Sequence, residues 1–175
     1  MRDLKKLTVL LIAILVVSVT SCSKDDDGGS VGNAAEGTLA AKIDETGFTS
    51  EKLATSATII SSVAGRTLNV RGGDFNGKTI QIGIVAFDGV GTYNVDSEDI
   101  ILNSFVLIDI DVSNPQSPVT QSWAAPYENS GLVGTVSISS ETATHVVGTF
   151  EMKVKGGDNS SVINITNGSF NIKLQ

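Results

Sequence analysis

From Gly37 to the C-terminus the chain alternates apolar and polar residues with a period of two. In "HVVGTFEMKVK" Val146, Gly148, Phe150, Met152 and Val154 fall on one side, with His145, Thr149, Glu151, Lys153 and Lys155 on the other. An extended strand with one buried face produces this pattern, because successive side chains point to opposite faces. The same alternation puts Ile80, Ile82, Ile84 and Ala86 on one face of "KTIQIGIVAF". It places Leu68 and Val70 inward in "TLNV", and Leu132, Val136 and Ile138 inward in "LVGTVSISS". In "NSFVLIDIDV" Val106, Ile108, Ile110 and Val112 oppose Phe105, Leu107, Asp109 and Asp111, so the second face is apolar at one end and acidic at the other. That strand is expected to pass from a covered region to an exposed one.

Turn chemistry separates these runs at Asp44 to Gly47, Ala64 to Arg66, Asn76-Gly77, Asp88-Gly89, Glu141 to Thr144 and Gly156 to Ser160. The spacing predicts about nine strands and no helix longer than a turn. The fold class is therefore all-β: a single antiparallel β-sandwich or up-and-down barrel over residues 37–175. One long connection is expected, from Ser113 to Ser130, holding Pro115, Pro118, Pro126, Trp123 and Tyr127. Near the C-terminus Ile163 and Ile165 share one parity and Phe170, Ile172 and Leu174 the other, so the phase jumps at Asn167-Gly168. A two-residue hairpin and a β-bulge each explain the jump. The long strand upstream, which needs a long partner, favours the bulge.

The N-terminus is different in kind. Arg2, Lys5 and Lys6 precede an apolar run, and small residues follow it. This is the layout of a secretory signal, expected over residues 1–21. The 13 residues from Leu7 to Val19 fall short of the roughly 20 needed to cross a bilayer. Val19-Thr20-Ser21-Cys22 resembles the lipobox of bacterial lipoproteins, which implies a diacylglycerol on Cys22, a mature N-terminus there and a membrane partner reached through the lipid. Two or more acyl chains anchor stably, at about 0.8 kcal/mol per buried methylene. Residues 22–36 then form a polar, acidic tether. Its 14 residues after Cys22 reach roughly 45 Å when extended.

Charge narrows the partners. Residues 1–21 carry three basic side chains and one acidic, so their removal takes the formal charge from −7 to −9. A chain of that charge repels nucleic-acid backbones. With Cys22 the only cysteine, no intramolecular disulfide forms.

"GTLAAKIDETGF", "FDGVGTYNV", "GTVSIS" followed by "VVGTFEMKV", and "ITNGSFNIKL" together resemble a family of Bacteroidota surface or outer-membrane lipoproteins of unknown function, over roughly residues 35–175. Where such a chain would carry a tight Asn-Gly or Asp-Gly turn after the first strand, this one has Asp44-Glu45-Thr46-Gly47. In that phylum a lysine and acidic residues after the lipidated cysteine resemble a surface-export signal. Lys24, Asp25, Asp26 and Asp27 fill the place here, which implies an outer-membrane, cell-surface location.

Candidate chemistry is sparse. His145 is the only histidine, so a Cys-His nucleophile pair and a His-rich zinc site are excluded, and no cofactor is expected. Asp109 and Asp111, two apart on a strand, are a weak candidate for metal binding or carboxylate hydrolysis. Asp96, Glu98 and Asp99 form another acidic turn. The best lead is "SWAAPYENSG". Trp123 and Tyr127, with Glu128, Asn129 and Gln121 nearby, either form an aromatic rim that stacks on sugars or fills a partner's pocket, or else plug and anchor the scaffold. The expected function is a non-catalytic binding module for a glycan, small ligand or protein, the rival being an assembly subunit of an envelope complex without soluble ligand.

Overall fold

A computed structural model of the chain describes residues 34–100, 102–114, 116–157 and 161–175. Cys22, Lys24, Asp25, Asp26 and Asp27, with the rest of the expected signal and most of the expected tether, lie outside the described residues. Eleven antiparallel strands follow one another: β1 Thr38–Ile43, β2 Thr46–Thr49, β3 Thr55–Ser62, β4 Gly65–Gly73, β5 Lys78–Val85, β6 Gly91–Asp96, β7 Ser104–Asp111, β8 Val119–Ala125, β9 Leu132–Glu141, β10 His145–Gly156 and β11 Val162–Lys173. The only helical element among the described residues is a 3₁₀ turn, Lys52–Ala54.

The strands form one sheet in the order β2-β1-β11-β10-β8-β7-β5-β4-β3. It forks at β10, whose first part pairs with β9 from Val146 to Met152 and whose last residues, Lys155 and Gly156, pair with β8. β9 in turn carries β6. The sheet curls into a half-barrel, so that β3, at its end, approaches the C-terminus through a parallel bridge between Ala57 and Leu174. The Gln175 amide donates to the Ala57 carbonyl at 3.0 Å, and the Glu51 amide to the Gly73 carbonyl at 2.8 Å.

The concave face is filled with the expected aliphatic rows: Leu68 and Val70, Ile80, Ile82 and Ile84, and Val146, Phe150, Met152 and Val154 are all buried. Phe105, Phe150 and Phe170 run through the centre, with ring centroids 5.7 and 6.4 Å apart. Burying each such side chain is worth roughly 1.5–3 kcal/mol. Glycines make room for them. A Cβ on Gly148 would stand 2.6 Å from Phe170, and one on Gly168 2.5 Å from Phe150.

Three expectations about facing are corrected, each by a local break in the alternation. Ala86 is exposed and Phe87 buried, because Ala86 adopts a φ of 52° and turns the chain. Leu132 is exposed and Val133 buried, because the register slips between Val95 and Asp96 and inserts Val133 as an extra residue. On β7 the fully buried side chains are Phe105 and Leu107, whereas Val106, Ile108 and Ile110 lie half-buried on the convex face.

The phase jump at Asn167-Gly168 is a bulge. β11 runs unbroken from Val162 to Lys173, Phe150 pairs with Gly168 and Met152 with Ile165, so β11 holds one residue more than β10 in that interval. Asn167 absorbs it with a φ of 53°. Asp44-Glu45 is a two-residue turn between Ile43 and Thr46, with φ of 43° and 69°, both in the left-handed region that a tight hairpin of this twist demands.

Candidate ligand-binding groove

The expected connection from Ser113 to Ser130 is mostly structure. Pro118 stands immediately before β8 and Pro126 immediately after it, so the prolines bound the strand instead of breaking it. Trp123 is therefore a strand residue. It pairs with Leu107 on one side and Gly156 on the other, which puts its indole on the concave face at the edge of the core. The indole Nε1 donates to the Ser161 hydroxyl at 2.9 Å. Half-buried and pinned, the ring plugs this end of the half-barrel while leaving one side accessible.

That side lines a groove of about 360 Å³ with Thr120, Gln121, Ser122, Gly156, Gly157 and Ser161. Hydroxyls, one amide and bare glycine backbone surround a flat apolar surface. The arrangement suits a ligand with one apolar face and a hydroxylated edge. Tyr127, Glu128 and Asn129 do not line this groove. Tyr127 is packed against the core, with the Lys155 ammonium 5.6 Å from its ring centre. Glu128 and Asn129 sit on an exposed turn closed by the Ser130 amide donating to the Tyr127 carbonyl at 3.0 Å. Asn129 has a φ of 56°. The expected constellation thus separates, Trp123 and Gln121 going to the groove and the others to a turn.

The two strand carboxylates also separate. Asp109 sits on the concave side at the rim, opposite Gln121, with its Oδ2 2.9 Å from the Lys78 ammonium. Asp111 is exposed and accepts the Ser113 amide at 2.9 Å; that backbone bond, and then the Ser113 hydroxyl, hold its carboxyl below the ordinary range. Asp96 accepts the Glu98 amide at 2.9 Å in a turn of its own. No group of three or more His, Cys, Asp or Glu that could hold a metal ion occurs among the described residues. His145 touches the Thr144 hydroxyl at 3.0 Å through Nδ1 and Glu36 at 3.3 Å through Nε2.

The opposite end of the half-barrel is closed by a cluster that strand patterns conceal. Arg66 on β4 pairs with Glu141 on β9, and its guanidinium lies 4.9 Å above the Phe87 ring. The hydrogen bond to Glu141 raises the Arg66 pKa. The Tyr93 hydroxyl accepts from the Asp88 amide at 3.0 Å and donates to the Gly89 carbonyl at 2.8 Å, locking the turn beneath. Buried Asn103 ties the two arms of the fork, accepting the Val85 amide at 2.9 Å and donating to the Asn94 carbonyl at 2.8 Å. Arg66 and Glu141 are 75 residues apart in sequence and Asn103 and Val85 18 apart, so of this cluster only the local Asp88-Gly89 turn under Tyr93 carries a sequence signal.

The chain enters at this closed end. The Gly37 amide donates to the Asn171 carbonyl at 2.7 Å, and Glu36 meets His145 at the start of β10. The groove lies at the other end of β10, where Trp123 pairs with Gly156. Twelve residues of strand separate the two, roughly 35 Å at about 3.3 Å per residue. No helix among the described residues is long and apolar enough to cross a membrane. In comparisons with protein-family models, with curated proteins and with solved structures, none matches this chain.

Proposed function

We propose that the chain is a lipid-anchored, non-catalytic binding module of the outer membrane, displayed at the cell surface, whose groove beside Trp123 takes a hydroxylated small ligand such as a sugar unit. The carrying observation is position. The tether joins at the Glu36–His145 end, while the indole and its polar surround occupy the far end of β10. A domain tethered through Cys22 would hold that groove away from the lipid surface.

Two measurements test the two halves of the reading. Cells fed an alkyne fatty acid should label the wild-type chain and leave Cys22→Ser unlabelled, and intact cells should lose the domain to external protease. Changing Asp25, Asp26 and Asp27 together to alanine should protect it. A glycan and metabolite screen of the mature chain should give ligands that Trp123→Ala no longer binds; binding unaltered by that change would sink the groove assignment.

A second reading, contact with a protein partner in an envelope assembly, is favoured by exposed Phe75, Val112 and Val119 at the same end. The Ile110 amide donates to the Gly77 carbonyl at 3.1 Å, which sets the Phe75 turn against the end of β7. Loss of a co-purifying protein in Phe75→Ser, with sugar binding intact, would support it.

A further inference from the structure

We propose a second site on the convex face, a shallow track for an acidic polysaccharide that lies across the strands with carboxylates at Arg71 and Lys155. It is independent of the Trp123 groove, whose lining is on other residues. The track follows from strand register. Ser56 pairs with Arg71, Arg71 with Gln81, Gln81 with Val106, Val106 with Ala124, and Ala124 with Lys155. These residues form one continuous row over six strands. Arg71 and Lys155 are four inter-strand steps apart, roughly 19 Å along the surface at about 4.8 Å per step.

The neighbouring row, Thr58, Asn69, Gly83 and Ser104, lies directly beside it. Between the rows is a depression of about 310 Å³, in which Arg71 is the only charged lining residue. Gly83 leaves backbone bare there. Among the described residues no carboxylate lies within ion-pair distance of Arg71, and the convex positions of β3, β4, β5 and β7 include no Asp or Glu. In a chain with 19 acidic and 12 basic side chains, a face whose six strands carry Arg71, Lys153 and Lys155 against one carboxylate, Glu151 on β10, is complementary to an anion. Lys155 is held in place over the Tyr127 ring.

Sparse cations among neutral polar groups suit a sparsely charged, hydroxylated polymer. Duplex DNA carries a charge about every 1.7 Å of axis, which two cations roughly 19 Å apart match poorly. A uronic-acid chain has sparser carboxylates with hydroxyls between them. Guanidinium reads a planar carboxylate with two parallel bonds, and Ser56, Thr58, Asn69, Gln81 and Ser104 offer neutral partners to hydroxyls.

Calorimetry on the mature chain with oligogalacturonate tests the site. Expected results are binding to the oligomer, at least tenfold weaker binding to its methyl ester and to monomeric galacturonate, and about tenfold loss in each of Arg71→Gln and Lys155→Gln. The charge-matched control Lys173→Gln should bind as wild type, and all variants should keep the wild-type melting temperature. Absence of oligomer binding, equal affinity for acid and ester, unchanged binding by Arg71→Gln, or tighter binding of a sulfated oligosaccharide would each overturn the proposal.

Discussion

Trp123 Nε1 donates to Ser161 Oγ at 2.9 Å, joining β8 to the residue that leads into β11. A net hydrogen bond of this kind is worth about 1 kcal/mol. Trp123→Phe keeps an aromatic plug but loses the donor, and Ser161→Ala loses the acceptor. Each is expected to lower unfolding free energy by about 1 kcal/mol in urea denaturation, and the double variant by little more than either alone. Fully additive losses would show that the bond is not what couples the two residues. Trp123→Ala also removes half-buried ring surface and is expected to cost about 2 kcal/mol.

Glycines give a sharper contrast. A Cβ on Gly134 would collide with the Glu151 carbonyl oxygen and stand 2.9 Å from Met152 Cα, so Gly134→Ala forces β9 away from β10. Gly168→Ala presses on the Phe150 ring at 2.5 Å. Each should destabilise by about 1–3 kcal/mol, the usual range for overpacking. Gly47 has nothing within 4 Å of its Cβ position and no positive φ, so Gly47→Ala is expected to be neutral or to stabilise by up to about 1 kcal/mol. Equal melting temperatures for all three would contradict the packing described.

These contacts also mark how far the sequence could be read. Alternation identified the buried faces of β4, β5 and β10 because each has one apolar and one polar face. It failed at Ala86 and Leu132, where a positive φ and an inserted Val133 shift the phase without changing composition. It was indifferent on β7, whose two faces are both apolar over Phe105 to Ile108. β8 was concealed by its flanking prolines, and with it the strand position of Trp123. Gln121 stands two residues from Trp123 in sequence and lines the groove with it, but Ser161 lies 38 residues away in sequence and only the fork at β10 brings it there. The Arg71 row depends on register across six strands, which no local pattern encodes.

The β1–β2 turn supports a prediction in which two small effects compete. Glu45 holds a φ of 69°, a conformation that costs a non-glycine residue roughly 1 kcal/mol. Its carboxylate lies 3.9 Å from the Lys42 ammonium, but the pair is exposed and worth at most a few tenths of a kcal/mol. Relief of the backbone term should win. Glu45→Gly is expected to stabilise by about 0.5 kcal/mol, read as a higher urea midpoint with an unchanged slope. A lower midpoint would mean the ion pair outweighs the turn.

Asp111 sets a pH dependence whose sign follows from its donors. The Ser113 amide and, secondarily, the Ser113 hydroxyl favour the ionised carboxylate, so its folded pKa lies below the unfolded value. A depressed carboxyl pKa adds stability that is complete above the unfolded value, near 4, and disappears as pH falls through the folded one. Because the side chain is exposed, the contribution is small, and NMR titration of its carboxyl carbon is the better readout. Ser113→Ala removes the hydroxyl and keeps the amide. The midpoint should therefore rise part of the way to the ordinary Asp value, and the wild-type and Ser113→Ala chains should converge in stability below the folded pKa. A full return to the ordinary value would mean that the hydroxyl, and not the backbone amide, is the dominant donor.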